Sequence, residues 1–351
     1  MQKKKKYELL TEEILKYIKD NNLEKGSKLP KVRDIIKDTG YSYATVNRTL
    51  LEMEKSGTIS KTQGKGIFVD KINSDNNSKQ VVFIIPKNIS KGKIFLDILN
   101  GLRKIFEKEK IHLLVSISNM SHEKEKLTIE RLVQQNVDGL VLFLEDNYRN
   151  DYSHIQDLKE KNFPFVLVDR FIPELDTDYV VINNLEAMVR VCSYLKYKES
   201  CDSIIYITHE DTATSHNEKI NGFKNAMSML YTNELGKIYN IQEFTEKFEE
   251  INDDSKKIGL CFFDDLIVAD LKKNLSENDK NLTDNFKIFG YNNCYEPRDF
   301  PSVEQYNDKV GEKAAELLIE RINNPNIATT HHRIDPVLVF PDDNGGFHYE
   351  K

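Results

Sequence analysis

Residues 40–57 read GYSYATVNRTLLEMEKSG, and this stretch decides how the beginning of the chain folds. Apolar side chains recur at helical spacing from Val46 to Met53, Ser42 stands at the position of an N-cap, and Gly57 is a typical helix terminator. The pattern predicts a helix whose first two turns carry hydroxyl, amide and guanidinium groups. Such groups are suited to hydrogen bonds with base edges and phosphates of a DNA duplex.

The segments on either side of this helix predict a small helical unit that ends in a hairpin. An amphipathic pattern covers 7–22, a short helix follows Pro30 and stops at Gly40, and TISKTQGKGIFV at 58–69 indicates two strands around a Gly-Lys-Gly turn. Three helices followed by a hairpin are typical of a winged helix-turn-helix, which we place at residues 1–70 and call the head.

Charge is distributed unevenly along the chain. The 351 residues have a formal net charge of −7, yet residues 1–71 contain 16 Lys and Arg against 10 Asp and Glu, which leaves −13 for the remainder. A basic head on an acidic body indicates that only the head meets a polyanion. A helical protein-interaction module is the alternative, but the hairpin glycines, which let the backbone approach phosphate closely, favour double-stranded DNA.

The remaining residues, 80–351, show a different pattern and are called the body. Short runs rich in Val and Ile, such as QVVFIIP at 80–86 and VDGLVLFL at 137–144, alternate with amphipathic segments. This alternation predicts an α/β fold of doubly wound parallel sheets, in which ligands bind beyond the carboxyl ends of the strands. The body is long enough for two lobes, and the polar stretch at 71–79 is predicted to be a linker.

Several classes of protein are disfavoured by what the sequence lacks. The four cysteines have no Cys-x-x-Cys pair and no histidine at ligand spacing, so we expect free, buried thiols in a cytoplasmic protein, with no metal and no cofactor. His331 and His332 are expected at a solvated strand edge. No apolar segment reaches membrane-spanning length, so no membrane partner is expected. Motifs of hydrolases, zinc peptidases and dinucleotide-binding enzymes are missing, which argues against an enzyme.

The head resembles the DNA-binding domain of the GntR family of bacterial regulators over residues 28–69, KLPKVRDIIKDTGYSYATVNRTLLEMEKSGTISKTQGKGIFV. The shared pattern is Leu-Pro followed by Arg, a Ser that opens the recognition helix, Thr-Val within it, and Gly-x-Gly-x-Phe-Val in the wing. Position in the recognition helix and this resemblance together give the candidate DNA-binding residues Arg33, Ser42, Tyr43, Thr45, Asn47, Arg48, Gly64, Lys65 and Gly66. Tyr43 stands where the family often has Arg, so base preference there is not carried over.

The body resembles the periplasmic-binding-protein-like sugar-binding core of LacI/GalR-type repressors across 80–341. FVLVDR at 165–170, SHNEKINGF at 215–223, FGYNN at 289–293 and the stretch 301–322 carry the likeness. The resemblance implies two lobes, a homodimer, and a chain that crosses between the lobes near 181–184, 303–306 and 325–330. The ligand-binding candidates in the cleft are Phe95, Asp169, Ser215, Lys219, Asp264, Asn292 and Gln305.

Some of these residues also have a purely structural interpretation. Asp169 precedes Arg170 and would form an ion pair with it, Asp264 would begin a helix, and Ser215 would cap one. Lys219 and Asn292 replace an Arg and an Asp of the family pattern, so the fitting sugar is expected to differ or to be anionic, such as a sugar phosphate.

The sequence therefore predicts a DNA-binding transcriptional regulator, a repressor, of carbohydrate metabolism genes. A monosaccharide or sugar phosphate in the cleft is expected to weaken operator binding by allostery. The alternative is a cytoplasmic sugar-binding protein without direct gene regulation.

Overall fold

The computed structural model describes residues 6–21, 23–62, 65–70, 79–86, 93–145, 151–209, 213–230, 236–294, 299–342 and 346–350. The chain divides into two compact units, residues 1–78 and 79–351. Of the predicted features, Gly64 and residues 71–78 of the linker lie outside the described residues.

The head consists of three helices and an antiparallel hairpin, as predicted. The elements are α1 (Lys6–Asp20), α2 (Val32–Thr39), α3 (Tyr43–Lys55), β1 (Ile59–Thr62) and β2 (Gly66–Val69). Helix α2 ends at Gly40, whose φ of 72° is a left-handed conformation that glycine adopts without strain. Buried apolar side chains from all five elements form one core, led by Leu10, Val46 and Leu50.

The first lobe of the body is a six-stranded parallel sheet with helices on both faces. In spatial order, the strands are β13 (His331–Ile334), β7 (Tyr179–Ile182), β6 (Phe165–Val168), β5 (Gly139–Leu142), β3 (Gln80–Ile85) and β4 (His112–Ile117). The helices are α4 (Lys93–Lys108), α5 (His122–Gln134), α6 (Ser153–Glu160) and α12 (Asn307–Asn323). Val81 and Phe83 belong to one buried cluster and Val82 and Ile84 to another, as expected for a strand covered on both faces.

The second lobe is a smaller parallel sheet with an antiparallel sheet packed beside it. In spatial order, the parallel strands are β11 (Phe286–Phe289), β10 (Ile258–Phe262), β8 (Ser203–Ile207) and β9 (Lys237–Tyr239). The helices are α7 (Asn184–Tyr197), α8 (Thr214–Leu230), α9 (Ile241–Glu246), α10 (Phe248–Ile251) and α11 (Asp265–Glu277). The antiparallel strands are β12 (Ser302–Glu304), β14 (Val337–Pro341) and β15 (Phe347–Glu350). Val303, Leu338 and Phe340 join the second-lobe core.

The chain crosses between the lobes three times. Two crossings, between β7 and α7 and between β12 and α12, lie where they were predicted. The third prediction, 325–330, is wrong, because β13 still pairs with β7 of the first-lobe sheet from His331 to Ile334. The chain crosses after β13, at Asp335 and Pro336, and then enters β14.

The cysteines match the prediction in part. None of the four forms a disulfide, and Cys192, Cys201 and Cys261 are buried as predicted, whereas Cys294 is half-buried. Burial raises the pKa of the Cys201 thiol to about 11, so it stays protonated at neutral pH. Within the described residues, no helix is both long and apolar enough to span a membrane.

Candidate DNA interface and effector cleft

Helix α3 begins at a side-chain cap and exposes polar groups from its first two turns. The Oγ atom of Ser42 accepts a hydrogen bond from the N–H of Thr45 at 3.3 Å, which satisfies a donor of the first turn that has no partner within the helix. Tyr43 is 65% exposed. Arg48 is exposed as well, and its guanidinium lies 4.4 Å from the centre of the Tyr7 ring in α1. This stacking orients the guanidinium without neutralising it.

The other predicted side chains of the two central helices differ in exposure. Arg33 is exposed at the start of α2, where its Nε lies 3.7 Å from the carboxylate of Asp34. Thr45 and Asn47 are half-buried on α3. Exposed guanidinium groups such as those of Arg33 and Arg48 are suited to phosphate contacts, which position a helix in the major groove.

The wing is held against the rest of the head by specific contacts. Gly66 has a φ of 127°, a backbone conformation that favours glycine; a Cβ there would lie 2.7 Å from Cε of Lys28, a side-chain end that can move aside. The backbone N–H of Lys61 donates to Glu54 of α3 at 3.2 Å, and the Lys61 ammonium lies 3.6 Å from the same carboxylate. Lys65 is exposed at the turn. The wing therefore carries a cation at its turn while its base is attached to α3.

In the body, Asp169 lies directly after β6 and contacts the second lobe. Its side chain is 10% exposed, and it accepts a hydrogen bond from Oγ of Ser215 in α8 at 3.3 Å. Nε of Arg170 lies 3.4 Å from the same carboxylate, so the ion pair considered from the sequence is present alongside the contact to the second lobe. Burial raises the pKa of Asp169, while the charges of Arg170 and Lys219 act in the opposite direction. Its φ of 64° is uncommon for a residue other than glycine.

Lys219 is a buried cation enclosed by aromatic rings. It is 3% exposed, and its Nζ donates to the backbone carbonyl of Phe263 at 3.1 Å. The same nitrogen lies 4.1 Å from the ring centre of Phe263 and 3.8 Å from that of Tyr291. Ring faces stabilise a desolvated ammonium group. The arrangement combines a positive charge with apolar ring surface, a pairing that suits a hydroxylated or anionic ligand.

Asn292 and Gln305 supply amide groups beside this ring cluster. Asn292 is 6% exposed, and its Oδ1 has no hydrogen-bond partner. Since buried polar atoms are nearly always satisfied, this acceptor fits a ligand hydroxyl. Gln305 is 2% exposed, and its Oε1 accepts a hydrogen bond from Nδ2 of Asn307 at 3.2 Å. Burial raises the pKa of Tyr291, whose hydroxyl donates to Oδ1 of Asn184 at 2.9 Å.

Two predicted ligand residues lie in other surroundings. Asp264 is the N-cap of α11, where its Oδ1 accepts the N–H groups of Leu266 at 2.8 Å and Ile267 at 3.1 Å. This is the structural role considered for it from the sequence. Phe95 is 5% exposed in the first-lobe core, with its ring centre 4.7 Å from that of Phe143. The structure therefore brings together Asp169, Ser215 and Lys219, with Asn292 and Gln305 next to Tyr291 in sequence or contact. Phe95 is linked to Asp169 only indirectly, because its partner Phe143 lies 5.0 Å from the guanidinium of Arg170.

Additional contacts join the two lobes. Nζ of Lys93, at the start of α4, donates to the carbonyl of Asn293 at 2.8 Å and lies 3.3 Å from the carboxylate of Glu304. Arg333 of β13 pairs with Glu218 of α8 at 2.7 Å. These contacts join the lobes in two further places, so any rotation of one lobe against the other would have to break or rearrange them.

An aromatic group beside Lys219 was not predicted from the sequence. The ring centre of His209 lies 4.5 Å from that of Phe263, and the ring centre of His216 lies 5.1 Å from it. His209 and Phe263 each come just after the carboxyl end of a parallel strand, β8 and β10 respectively. Their position after a predicted strand could have identified them from the sequence, because ligands bind at the carboxyl ends of the strands in parallel sheets.

A winged helix-turn-helix followed by a two-lobed α/β unit, with polar side chains gathered where the lobes meet, is the organisation of a DNA-binding protein with an effector domain. Family comparisons agree with this class. The family model for the periplasmic binding protein domain matches residues 81–279, and the model for bacterial regulatory proteins of the gntR family matches residues 6–69. The chain belongs to the periplasmic binding protein domain family and carries a GntR-type helix-turn-helix at its start.

Individual relatives are transcription regulators by name. A probable HTH-type transcriptional regulator, EndR, of Paenibacillus polymyxa is 23% identical over 239 residues, which cover 65% of this chain and 69% of that protein. An arabinose metabolism transcriptional repressor of Halalkalibacterium halodurans is 19% identical over 315 residues, covering 83% of this chain and 81% of the relative. A second, from Geobacillus stearothermophilus, is 25% identical over 167 residues, 47% of this chain and 46% of its own length.

Solved structures share the fold. A complex of the transcriptional regulator CelR with cellobiose superimposes with a TM-score of 0.61 at 18% identity, covering 85% of this chain and 90% of that one. A LacI-family transcriptional regulator from Enterococcus faecium with bound ribose gives a TM-score of 0.57 at 19% identity, covering 78% of this chain and 97% of the other.

Proposed function

We propose that this chain is a cytoplasmic transcriptional repressor of carbohydrate metabolism genes whose affinity for operator DNA falls when a small sugar binds in the cleft. The observation that carries the proposal is the presence, on one chain, of a winged helix-turn-helix with exposed Arg and Lys side chains and a cleft of polar side chains between two lobes. The proposed organisation is a DNA-binding domain at 1–70, a linker at 71–79, and an effector-binding and dimerisation domain at 80–351.

The chemistry of the cleft supports a polyhydroxylated ligand. Carboxylate and amide oxygens such as those of Asp169 and Asn292 accept hydrogen bonds from sugar hydroxyls, and Lys219 donates to a ring, hydroxyl or phosphate oxygen. The flanking rings of Phe263 and Tyr291 provide apolar surface. Relatives named for arabinose metabolism and structures containing cellobiose or ribose also favour a sugar.

An exposed apolar edge supports the proposal of a homodimer. Strand β4 lies at the edge of the first-lobe sheet, where Leu114, Val115 and Ile117 are 49%, 40% and 39% exposed. An unpaired edge with apolar side chains is a common site of association. Two heads would then reach half-sites about one helical turn, ~34 Å, apart. Leu114→Asp should yield monomers by light scattering, whereas Leu185→Asp on α7 should not.

DNA binding is tested by selecting duplexes from a random pool and titrating the best one at several salt concentrations. Each phosphate contact contributes a slope of about −0.9 in log affinity against log salt. Arg48→Ala and Lys65→Ala should each reduce that slope by about one contact. Lys55→Ala, at the far end of α3 and paired with Glu52 at 3.3 Å, is the control. Failure to select any duplex would favour a sugar-binding protein without gene regulation.

Effector binding is tested by a thermal-shift panel of monosaccharides and sugar phosphates on the full chain. A ligand present at 100 times its Kd should stabilise the body by about 2.7 kcal/mol. Asp169→Asn and Lys219→Gln should abolish the shift, while Asp299→Asn, which changes an exposed pair with Lys272, should retain it. The identified sugar should then release the selected duplex; tighter binding would contradict repression relieved by sugar.

A further inference from the structure

Two histidines and an aspartate form a separate cluster at the carboxyl end of the first-lobe sheet. His122 is the first residue of α5, His154 is the second residue of α6, and Asp151 lies two residues before α6. One imidazole nitrogen from each histidine and one carboxylate oxygen of the aspartate all lie within 4.8 Å of one another. Nε2 of His122 is 3.5 Å from the carboxylate of Asp151, and the two imidazole rings are 4.8 Å apart and nearly perpendicular. This cluster shares no residue with the cleft.

The imidazoles have buried nitrogens with no hydrogen-bond partner. His154 is 3% exposed; its Nε2 shares a 2.9 Å hydrogen bond with Glu125, while its Nδ1 is buried and has no partner. Nδ1 of His122 is buried and has no hydrogen-bond partner, and its Nε2 makes only the long 3.5 Å contact to Asp151. Buried polar atoms without partners are rare, and each calls for an explanation. A bound metal ion would explain these nitrogens, because it would accept the lone pairs for which no hydrogen-bond donor is nearby.

Glu125 is placed to orient the buried histidine. Its side chain is almost fully buried, and its Oε2 accepts the backbone N–H of Glu145 at 3.2 Å. The carboxylate therefore stays on the Nε2 side of His154, which leaves Nδ1 as the coordinating atom. A carboxylate behind a ligating imidazole is the usual second partner in metal sites, where it fixes the ring and increases its basicity.

We propose that His122, Asp151 and His154 bind a divalent transition-metal ion, with Zn²⁺ as the fitting species and Glu125 as a positioning residue. Two imidazoles and one carboxylate are a common donor set for zinc, and three protein ligands leave a fourth position for water or an added ligand. Metal–ligand bonds of about 2.0–2.2 Å require the three groups to draw closer together. The side chains of His122 and Asp151, 28% and 46% exposed, are free to adjust.

The charge of the site is also suitable. The N-termini of α5 and α6 carry partial positive charge, which on its own disfavours a cation. The carboxylates of Asp151 and Glu125 lie within 3.5 Å and 2.9 Å of the imidazoles and offset it. The inference does not depend on the DNA-binding function proposed above.

The test is titration of the metal-free full chain with Co²⁺, followed by displacement with Zn²⁺. One equivalent of Co²⁺ should bind and give visible d–d bands, without the intense near-ultraviolet band of thiolate ligation. His122→Gln and Asp151→Asn change partly exposed groups, so both variants should fold, as thermal unfolding in chelator would verify. Each should lower the affinity at least tenfold. Glu125→Gln should lower it about 10–100-fold while stoichiometry is retained.

The matched control is an exposed histidine–aspartate pair elsewhere in the same lobe. Nε2 of His331 lies 3.1 Å from the carboxylate of Asp176, and both side chains are largely exposed. His331→Gln should leave Co²⁺ binding unchanged. The proposal is overturned by the absence of stoichiometric binding, by a thiolate band, or by affinity that is retained in His122→Gln and Asp151→Asn.

Discussion

Replacing Arg321 with methionine should lower the free energy of unfolding of the body by about 3–5 kcal/mol, because it leaves a buried carboxylate without its partner. Arg321 of α12 forms a two-pronged pair with Asp178, with Nε to Oδ2 at 2.8 Å and Nη2 to Oδ1 at 3.0 Å. The Asp178 side chain is 3% exposed and that of Arg321 is 14% exposed.

The guanidinium also orders the turn that leads into β13. Its Nη1 donates to the carbonyls of Pro325 at 3.2 Å and Ile327 at 2.7 Å, and its Nη2 donates to that of Ala328 at 3.1 Å. Methionine fills a similar volume but donates none of these bonds. At about 2–4 °C per kcal/mol for a unit of this size, the loss corresponds to a drop in Tm of roughly 6–20 °C.

Urea unfolding should be followed by far-ultraviolet circular dichroism, because the chain contains no tryptophan whose fluorescence could report unfolding. The double variant with Asp178→Asn should be less destabilised than the sum of the single variants, by about 1–3 kcal/mol. Arg103→Met, which changes an exposed pair with Glu107, should alter stability by less than about 0.5 kcal/mol. The reasoning is refuted if Arg321→Met behaves like Arg103→Met, or if the double variant is strictly additive.

Four further substitutions, one of them a control, test other parts of the molecule. Ser42→Ala removes the cap of α3 and should lower the stability of the head by about 1 kcal/mol, visible as an earlier thermal transition together with weaker duplex binding. Gly311→Ala places a Cβ 2.1 Å from the backbone oxygen of Ile98 and should cost about 1–3 kcal/mol in denaturation experiments, whereas Gly139→Ala meets a movable side chain at 3.0 Å and should cost less. Burial raises the pKa of Asp169 in the folded state, so keeping this carboxylate ionised at neutral pH lowers the stability of the folded protein. Asp169→Asn, which carries no charge, should regain that stability. The advantage of that variant should be present at neutral pH and disappear as the pH falls to the ordinary carboxyl value of 3.8, and urea titrations at the two pH values would measure it.

The head was predictable because its signals are local. The Ser42 cap, the Gly40 stop and the apolar spacing of α3 all lie within a few residues of the structure they specify. The alternating sheets of the body were predictable for a related reason, since continuous Val- and Ile-rich runs identify strands covered on both faces.

Contacts between residues that lie far apart in the chain could not be predicted from the sequence. Strand β13 joins the first-lobe sheet through β7, and nothing near His331 reveals that partner. The expectation of a solvated strand edge at His331 was nevertheless confirmed, because β13 is an edge strand of that sheet. His122 and His154 likewise belong to different helices, so no ligand spacing appears in the sequence.

In the cleft, resemblance supplied residues that physical patterns alone did not. Asp169 was identified both by its likeness to a family motif and by its position after a strand. His209 and Phe263 satisfy the second criterion but lie outside the motifs, and they were overlooked. Asp264 shows why the role of a carboxylate at the start of a helix cannot be read from the sequence. The same group can accept hydrogen bonds from the backbone N–H groups of the helix, as it does here, or from a ligand.

The late position of α12 in the chain has a consequence for synthesis. Val310, Ala314 and Leu318 of this helix complete a core that also contains Phe83 and Phe106 of the first lobe. The ribosome makes the parallel sheet of the second lobe and its helices before it reaches α12. At about 5–20 residues per second, the stretch from Ile182 to Val310 takes about 6–26 s to synthesise, and the apolar surface of the first lobe stays uncovered for that time. During that interval the nascent chain exposes apolar surface that α12 later covers, and a chaperone that binds such surface has time to occupy it.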